Sequence, residues 1–83
     1  MPTESLSLQP TTLDLIPVGS SALILRIQSD CDRAGRLSAL GFIPGRTVKV
    51  TRLAPLGDPI SIEIDRQEIS LRRTEAKLIE VQP

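Results

Sequence analysis

The stretch Ala54-Pro55-Leu56-Gly57-Asp58-Pro59 lies between two segments that both have the composition of β-strands. Pro55 and Pro59 each hold φ at about −65°, and Gly57 can adopt the positive φ that a tight reversal needs. The carboxylate of Asp58 can accept a hydrogen bond from its own backbone two residues further on, which favours a turn. This composition predicts a rigid turn between two antiparallel strands.

Strands are predicted on both sides of this turn. Thr47 to Leu53 precedes it with valines on one face, and Ile60 to Ile64 follows it with isoleucine at every second position. Asp65-Arg66-Gln67 then turns the chain into a segment that continues the inward face with Ile69 and Leu71. Since a period of two places one set of side chains on one face, these segments predict half-buried strands.

Two further strands complete the predicted sheet. One is Ser21 to Ile27, which has apolar residues on both faces and is therefore expected to be central, and the other is Leu78 to Val81. Single helical turns are predicted after Thr12 and after Thr74, because each threonine can cap a helix N-terminus.

One longer helix is predicted between the strand Ser21 to Ile27 and the strand Thr47 to Leu53. It begins after Asp30, its N-cap, and runs to about Leu40, where Gly41 ends it in the left-handed conformation. Asp32 and Arg36 are expected to pair across one turn of this helix. Apolar residues recur at every third position along one side: Cys31, Ala34, Leu37 and Leu40.

These elements indicate one mostly β domain. Short strands, tight turns and a short helix at the rim predict a small SH3-like antiparallel barrel with one or two single helical turns, because a flat sheet of this size leaves its edges open. Residues 1–11 mix small polar residues and proline with isolated leucines, and we expect a flexible N-terminal tail there. Residues 12–83 are expected to form the domain.

The composition narrows the classes of partner. The 83 residues carry ten basic and ten acidic side chains and one aromatic ring, Phe42. The equal numbers of basic and acidic side chains and the single aromatic ring argue against nucleic acid as a partner. Nucleic-acid binding needs an excess of positive charge and several rings that stack on bases. The sequence has one cysteine, its start does not resemble a leader, and its longest apolar run is Ala22 to Leu25. These features predict a soluble, cytoplasmic protein. Such a protein is expected to reach a membrane only through its partner.

The sequence also limits the chemistry. It contains no histidine, which excludes imidazole acid–base catalysis and imidazole metal ligation. Cys31 falls on the apolar stripe of the helix, where we interpret it as a small buried hydrophobic residue. A single thiolate beside Asp30 and Asp32 is a poor site for zinc or iron. We therefore predict no enzyme activity, no catalytic residue, no metal site and no cofactor.

Apolar groups in turns and a set of arginines are the remaining candidates for function. Phe42 and Ile43 lie between Gly41 and the Pro44-Gly45 turn, where they either fold back onto the helix or present an apolar surface to another protein. Leu56, in the Ala54 to Pro59 turn, likewise either packs into the domain or presents an apolar surface to another protein. Three arginines, Arg66, Arg72 and Arg73, are expected to cluster near the last hairpin, where they either serve solubility or dock an acidic partner surface. The candidate partner-contact residues are Phe42, Ile43, Leu56, Arg66, Arg72 and Arg73.

Four motifs follow one another along the chain: Thr12 to Gly19, with Leu-Asp-Leu; Leu37 to Gly45, with Leu-x-x-Leu-Gly-x-x-Pro-Gly; Ala54 to Pro59; and Ser70-Leu71-Arg72 with Ala76. Together they resemble the FeoA family of small cytosolic proteins associated with bacterial ferrous-iron uptake. Asp65-Arg66 departs from the family pattern, which usually has glycine in that hairpin. We therefore expect a longer or distorted turn there.

The resemblance implies an SH3-like barrel and a non-enzymatic accessory or regulatory protein of ferrous-iron uptake. Its implied partner is the cytosolic, GTPase-containing part of a FeoB-type transporter, and weak self-association is a further expectation. An alternative from another class is a small-barrel regulatory module that acts on an iron-dependent repressor or on nucleic acid. The neutral charge and the single aromatic residue favour the transporter.

Overall fold

The computed structural model describes residues 9–28 and 31–83. Within these ranges the strands are β1 (Thr11–Thr12), β2 (Ser21–Ile27), β3 (Thr47–Leu53), β4 (Ile60–Ile64), β5 (Gln67–Leu71) and β6 (Ile79–Gln82). The helices are a 3₁₀ helix at Leu13–Leu15, α1 at Cys31–Ala39 and α2 at Arg73–Ala76. The predicted β2 and β3 are confirmed to the residue, and the two predicted helical turns are present. None of the helices in these ranges has the length and hydropathy of a membrane span.

The strands form one antiparallel sheet in the order β1-β6-β2-β3-β4-β5. The register shifts between Ile24 and Arg26 and again between Val50 and Arg52, and bulges of this kind bend and twist a sheet. β2 is central, as predicted. Among the described residues no ladder joins the two edge strands, β1 and β5, so hydrogen bonds do not close the predicted barrel. Thr11, which the sequence assigned to the tail, pairs with Val81 in β1.

The core lies on one face of this sheet. The predicted alternation is confirmed in β3, where Val48 and Val50 are buried, and in β4, where every isoleucine is buried. Leu71 continues this face at the end of β5, and Ile69 is partly buried beside it. The period of two in the sequence therefore produces a continuous apolar layer from short strands.

The end of α1 adds an aromatic side chain to this layer. Gly41 has φ +108°, and the Phe42 N–H donates to the Leu37 carbonyl at 3.0 Å, which is a glycine-terminated helix end of the predicted kind. Leu37 is buried, whereas Asp30 and the Cys31 side chain lie outside the described residues.

Phe42 itself is 0% exposed and belongs to the core cluster. It offers no surface to a partner. Of the two predicted alternatives, the one in which Phe42 folds back into the domain is the one observed. The contact role proposed from the sequence is therefore corrected at this position.

A buried carboxylate joins the two α-helices. Glu75 accepts a hydrogen bond from the Arg72 N–H at 3.1 Å and forms an ion pair with Arg36. The predicted Asp32–Arg36 pair is therefore wrong, because Arg36 instead neutralises the less solvated carboxylate. The predicted cap at Thr74 is also wrong, since Arg72 occupies the N-cap position of α2.

Two smaller expectations about turns are also corrected. The hydroxyl of Thr12 makes no cap hydrogen bond to the 3₁₀ helix and donates to the side chain of Asp14 instead. The β4–β5 turn is not longer than usual: Ile64 pairs with Gln67, so only two residues form the loop. Asp65 and Arg66 have φ values of +54° and +68°, as a two-residue hairpin turn requires.

We predict that Phe42→Ala destabilises the domain strongly, because a fully buried ring would leave a cavity in a small core. The expected loss is about 3–5 kcal/mol in the free energy of unfolding, measured by urea denaturation. Ile43→Ala is the matched control, since that side chain is 37% exposed. Equal losses in the two variants would contradict the packing described for Phe42.

Candidate functional site

The predicted turn at Ala54 to Pro59 is confirmed. The Gly57 N–H donates to the Ala54 carbonyl at 2.7 Å, and the Ala54 N–H donates to the Pro59 carbonyl at 3.1 Å. Gly57 has φ +86°, which a residue with a side chain adopts at a cost. Leu56 stands at the tip of this turn and is 96% exposed. This exposure excludes the alternative in which Leu56 packs into the core.

Arg73, at the start of α2, holds the turn from the side. Its Nη1 donates to the Gly57 carbonyl at 3.0 Å and its Nη2 to the Asp14 carbonyl at 3.2 Å. Its backbone N–H donates to Asp58 Oδ1 at 3.0 Å. The carboxylate predicted to bond within its own turn therefore bonds to α2. As a result, one residue connects the turn, the 3₁₀ helix and α2.

A second exposed leucine lies beside this connection. Leu15 follows Asp14 at the end of the 3₁₀ helix and is 64% exposed. The carbonyls that accept from Arg73 belong to Asp14 and Gly57, which are the chain neighbours of Leu15 and Leu56 respectively. The same guanidinium thus fixes the backbone next to both leucines, and their apolar side chains are exposed to solvent. We call Leu15, Leu56 and Arg73 the leucine turn surface.

The remaining predicted contact residues divide between two ends of the sheet. Ile43 and Arg66 belong to one end, where Arg46 Nη1 lies 3.5 Å from Asp65 Oδ2 and so joins the loop after α1 to the β4–β5 turn. Arg72 belongs to the other end, next to Arg73. Because the five residues of β5 separate Arg66 from Arg72, the two lie six residue steps apart on the strand, which is roughly 20 Å. The arginines predicted to cluster at the last hairpin therefore do not form one patch.

The sequence analysis missed Leu15 and the connecting role of Arg73. Leu15 was visible as the last apolar residue of a predicted helical turn, but its exposure depends on how that turn packs. The bond from Arg73 to Asp14 spans 59 positions, and no local pattern announces a pairing at that separation.

We predict that Arg73→Ala loosens the leucine turn surface. Removing the guanidinium leaves two carbonyls without their donor, and the expected cost is about 1–3 kcal/mol in the free energy of unfolding. Thermal unfolding measures the cost, and amide hydrogen exchange at Gly57 reports the loosening. Arg72→Ala is the matched control, because its exposed side chain makes no ion pair within the described ranges. Unchanged Gly57 exchange in Arg73→Ala would argue against the connection.

We also predict that the protein holds no tightly bound metal ion. Among the described residues, no three cysteine, aspartate or glutamate side chains stand close enough to hold one, and the sequence contains no histidine. Equilibrium dialysis against Fe²⁺ and Zn²⁺ is expected to give less than one tightly bound ion per chain. One ion that is held tightly and lost in Cys31→Ser would overturn this expectation.

Comparison with known proteins identifies close counterparts of this fold. The FeoA domain family model matches residues 11–83. An Fe(2+) transport protein A/Fe(2+) transporter FeoB fusion protein from Porphyromonas gingivalis is 36% identical over 70 residues, which cover 84% of this chain and 8% of the fusion. A putative Fe(2+) transport protein A from Campylobacter jejuni is 31% identical over 70 residues, covering 84% of this chain and 95% of that protein.

Solved structures agree with these matches. The solution structure of iron(II) transport protein A from Clostridium thermocellum superposes with a TM-score of 0.83 and 38% identity, over 87% of this chain and 44% of that one. The zinc complex of Stenotrophomonas maltophilia FeoA, described as a procaryotic SH3 domain protein, has a TM-score of 0.77 and 31% identity over 86% and 88% of the two chains. The predicted SH3-like fold class is therefore confirmed, as is the resemblance of the four motifs. The chain belongs to the FeoA domain family.

Proposed function

We propose that this chain is a non-enzymatic accessory protein of bacterial ferrous-iron uptake that docks on the cytosolic, GTPase-containing part of a FeoB-type transporter. The observation that carries the proposal is the Porphyromonas gingivalis fusion, which joins a region 36% identical to this chain with a FeoB transporter in one polypeptide. Covalent linkage raises the effective concentration of two modules for each other, so a fusion is useful where the modules act together. This chain spans 8% of that fusion, and the remainder corresponds to the partner in the proposal.

The leucine turn surface supports the proposal from the structure. Leu56 contributes nothing to the core, so its apolar side chain is available to a partner without loss to the fold. Burying one leucine completely is worth about 1.5–3 kcal/mol, and Leu15 adds a second anchor beside it. Arg72 lies next to this surface and supplies a positive charge at its rim. The partner that fits is an apolar pocket with acidic residues at its edge.

The proposal assigns this chain a regulatory or assembling role rather than catalysis. The sequence offers no histidine, and no group of three metal-ligating side chains exists in the described ranges. Docking on a cytosolic domain places the protein in the cytoplasm and brings it to the membrane through that partner alone.

The repressor alternative receives less support. A manganese-dependent transcriptional repressor superposes on 90% of this chain with a TM-score of 0.81, but at 20% identity this likeness concerns the fold alone. The net charge of zero and the single aromatic residue give no specific reason to add nucleic acid as a partner.

We predict that Leu56→Asp weakens docking while leaving stability unchanged. An aspartate in an apolar pocket is desolvated without a partner, so titration calorimetry with the isolated GTPase-containing domain is expected to give affinity more than about tenfold weaker than wild type. The same substitution at a turn tip in water is expected to change the free energy of unfolding by less than about 0.5 kcal/mol.

Ile43→Asp is the control at the opposite end of the sheet and is expected to retain binding. If wild-type protein binds neither the isolated domain nor the full transporter, the proposed function is wrong. If wild type binds and Leu56→Asp binds equally well, the function stands but the leucine turn surface is not the contact.

A further inference from the structure

The edge strand β5 carries main-chain groups that point away from the sheet. Because Ile64 and Gln67 close a two-residue turn, they form a hydrogen-bonded pair, and such pairs recur at every second position of an antiparallel ladder. The main chains of Ile69 and Leu71 therefore face β4. Those of Glu68 and Ser70 face outward, where no strand of the described residues pairs with β5.

These outward groups are accessible. Glu68 and Ser70 are exposed, and no hydrogen bond within the described part of the chain satisfies their outward N–H and C=O groups. Lysine, proline and a bulge are three of the devices that protect sheet edges, and β5 contains none of these three. The β5 edge is therefore a template on which a further strand can form main-chain hydrogen bonds.

Charges along the strand indicate what kind of segment fits. Glu68 is already engaged, since Thr51 Oγ1 donates to its Oε2 at 2.9 Å and Arg52 Nη2 lies 3.7 Å from the same oxygen. Arg66 and Arg72 flank the strand, both exposed and both without an ion pair in the described ranges. The edge is thus nearly neutral at its centre and positive at both ends.

We propose that the β5 edge binds an extended segment of another protein that carries acidic residues six positions apart, one opposite Arg66 and one opposite Arg72. In an antiparallel arrangement Glu68 and Ser70 each exchange a pair of hydrogen bonds with this segment. An apolar residue at its centre covers the partly buried Ile69. This site shares Arg72 with the rim of the leucine turn surface but is built on the main chain of β5, and it does not depend on the proposed docking to a transporter.

A second copy of this chain paired about Ile69 is a poorer occupant. A symmetric pairing centred on Ile69 would place Glu68 opposite Ser70 of the copy and would form the same hydrogen bonds. It would also place Arg66 of each copy opposite Arg72 of the other, and like charges directly opposite one another destabilise a ladder. An acid-flanked segment replaces both repulsions with attractions.

A synthetic peptide tests the proposal on the intact protein. The probe is a capped seven-residue peptide with aspartate at each end and alternating valine and threonine between, and its control has lysine at each end. We expect the aspartate peptide to bind about tenfold more tightly at low salt, because two exposed ion pairs replace two like-charge contacts. Binding is followed by NMR titration, with the largest amide shifts and slowed hydrogen exchange at Glu68 and Ser70.

Two variants separate the main-chain and charge contributions. Ser70→Pro removes an outward N–H without removing a bond to β4, and it is expected to abolish binding, whereas Ser70→Ala is expected to retain it. Arg66→Gly combined with Arg72→Gln is expected to abolish the preference for aspartate; this pair also keeps the proposal testable if Ser70→Pro fails to fold. Equal binding of the two peptides, or amide shifts elsewhere, would overturn the proposal. Self-association that is lost in Ser70→Pro would assign the edge to a second copy instead.

Discussion

Burial of one face of a bent antiparallel sheet is the constraint on which the rest of this structure depends. A chain of 83 residues has little core to share among its elements, and β2, β3, β4 and β6 contribute only two or three buried side chains each. Register shifts in the β2–β6 and β3–β4 ladders bend and twist the sheet, and its inward side chains form one core cluster. The helices then cover what the sheet leaves open, with Leu37 from α1 and Ala76 from α2.

The small size of the core explains why the candidate surfaces lie in turns and at the edge of the sheet. Nearly every inward apolar side chain is needed for stability, so little can be diverted into a cavity or cleft. The exposed leucines lie on backbone that is held by hydrogen bonds rather than by side-chain packing. Arg73 provides two of these bonds at the Ala54 to Pro59 turn and a third at Asp14. The sheet serves as a scaffold, and the proposed contacts use groups that the core does not need.

The sequence predicted the parts of the fold that local patterns encode. Alternating isoleucines located β4, and the glycine after Leu40 located the end of α1, because periodicity and backbone freedom are properties of neighbouring residues. The partners of Arg36 and Asp58 were predicted locally and lie elsewhere in the fold. Arg36 pairs with the buried carboxylate of Glu75, and Asp58 accepts from the start of α2. Only the packed chain brings either pair together.

The candidate site was predictable to a similar extent. Leu56 could be singled out because an apolar residue in a proline-flanked turn is unusual, and the structure then decided between its two alternatives. Phe42 had the same signal and the opposite outcome, since a helix-terminating glycine folds it back under α1. The outward groups of β5 could not have been recognised before the length of the Asp65-Arg66 turn was known, because a one-residue change in that loop would exchange the two sets of main-chain groups.

The backbone of the Leu56 turn is held in place before any partner arrives, and this has a kinetic consequence. A binding loop that must first order itself adds a slow step to association and spends part of its interaction energy on that ordering. A turn fixed by Arg73 has no such step. Encounter is then limited by orientation, in the range of about 10⁵–10⁷ M⁻¹s⁻¹ that is typical of rigid partners. Differences in affinity among related chains would accordingly arise in the lifetime of the complex rather than in the speed of its formation.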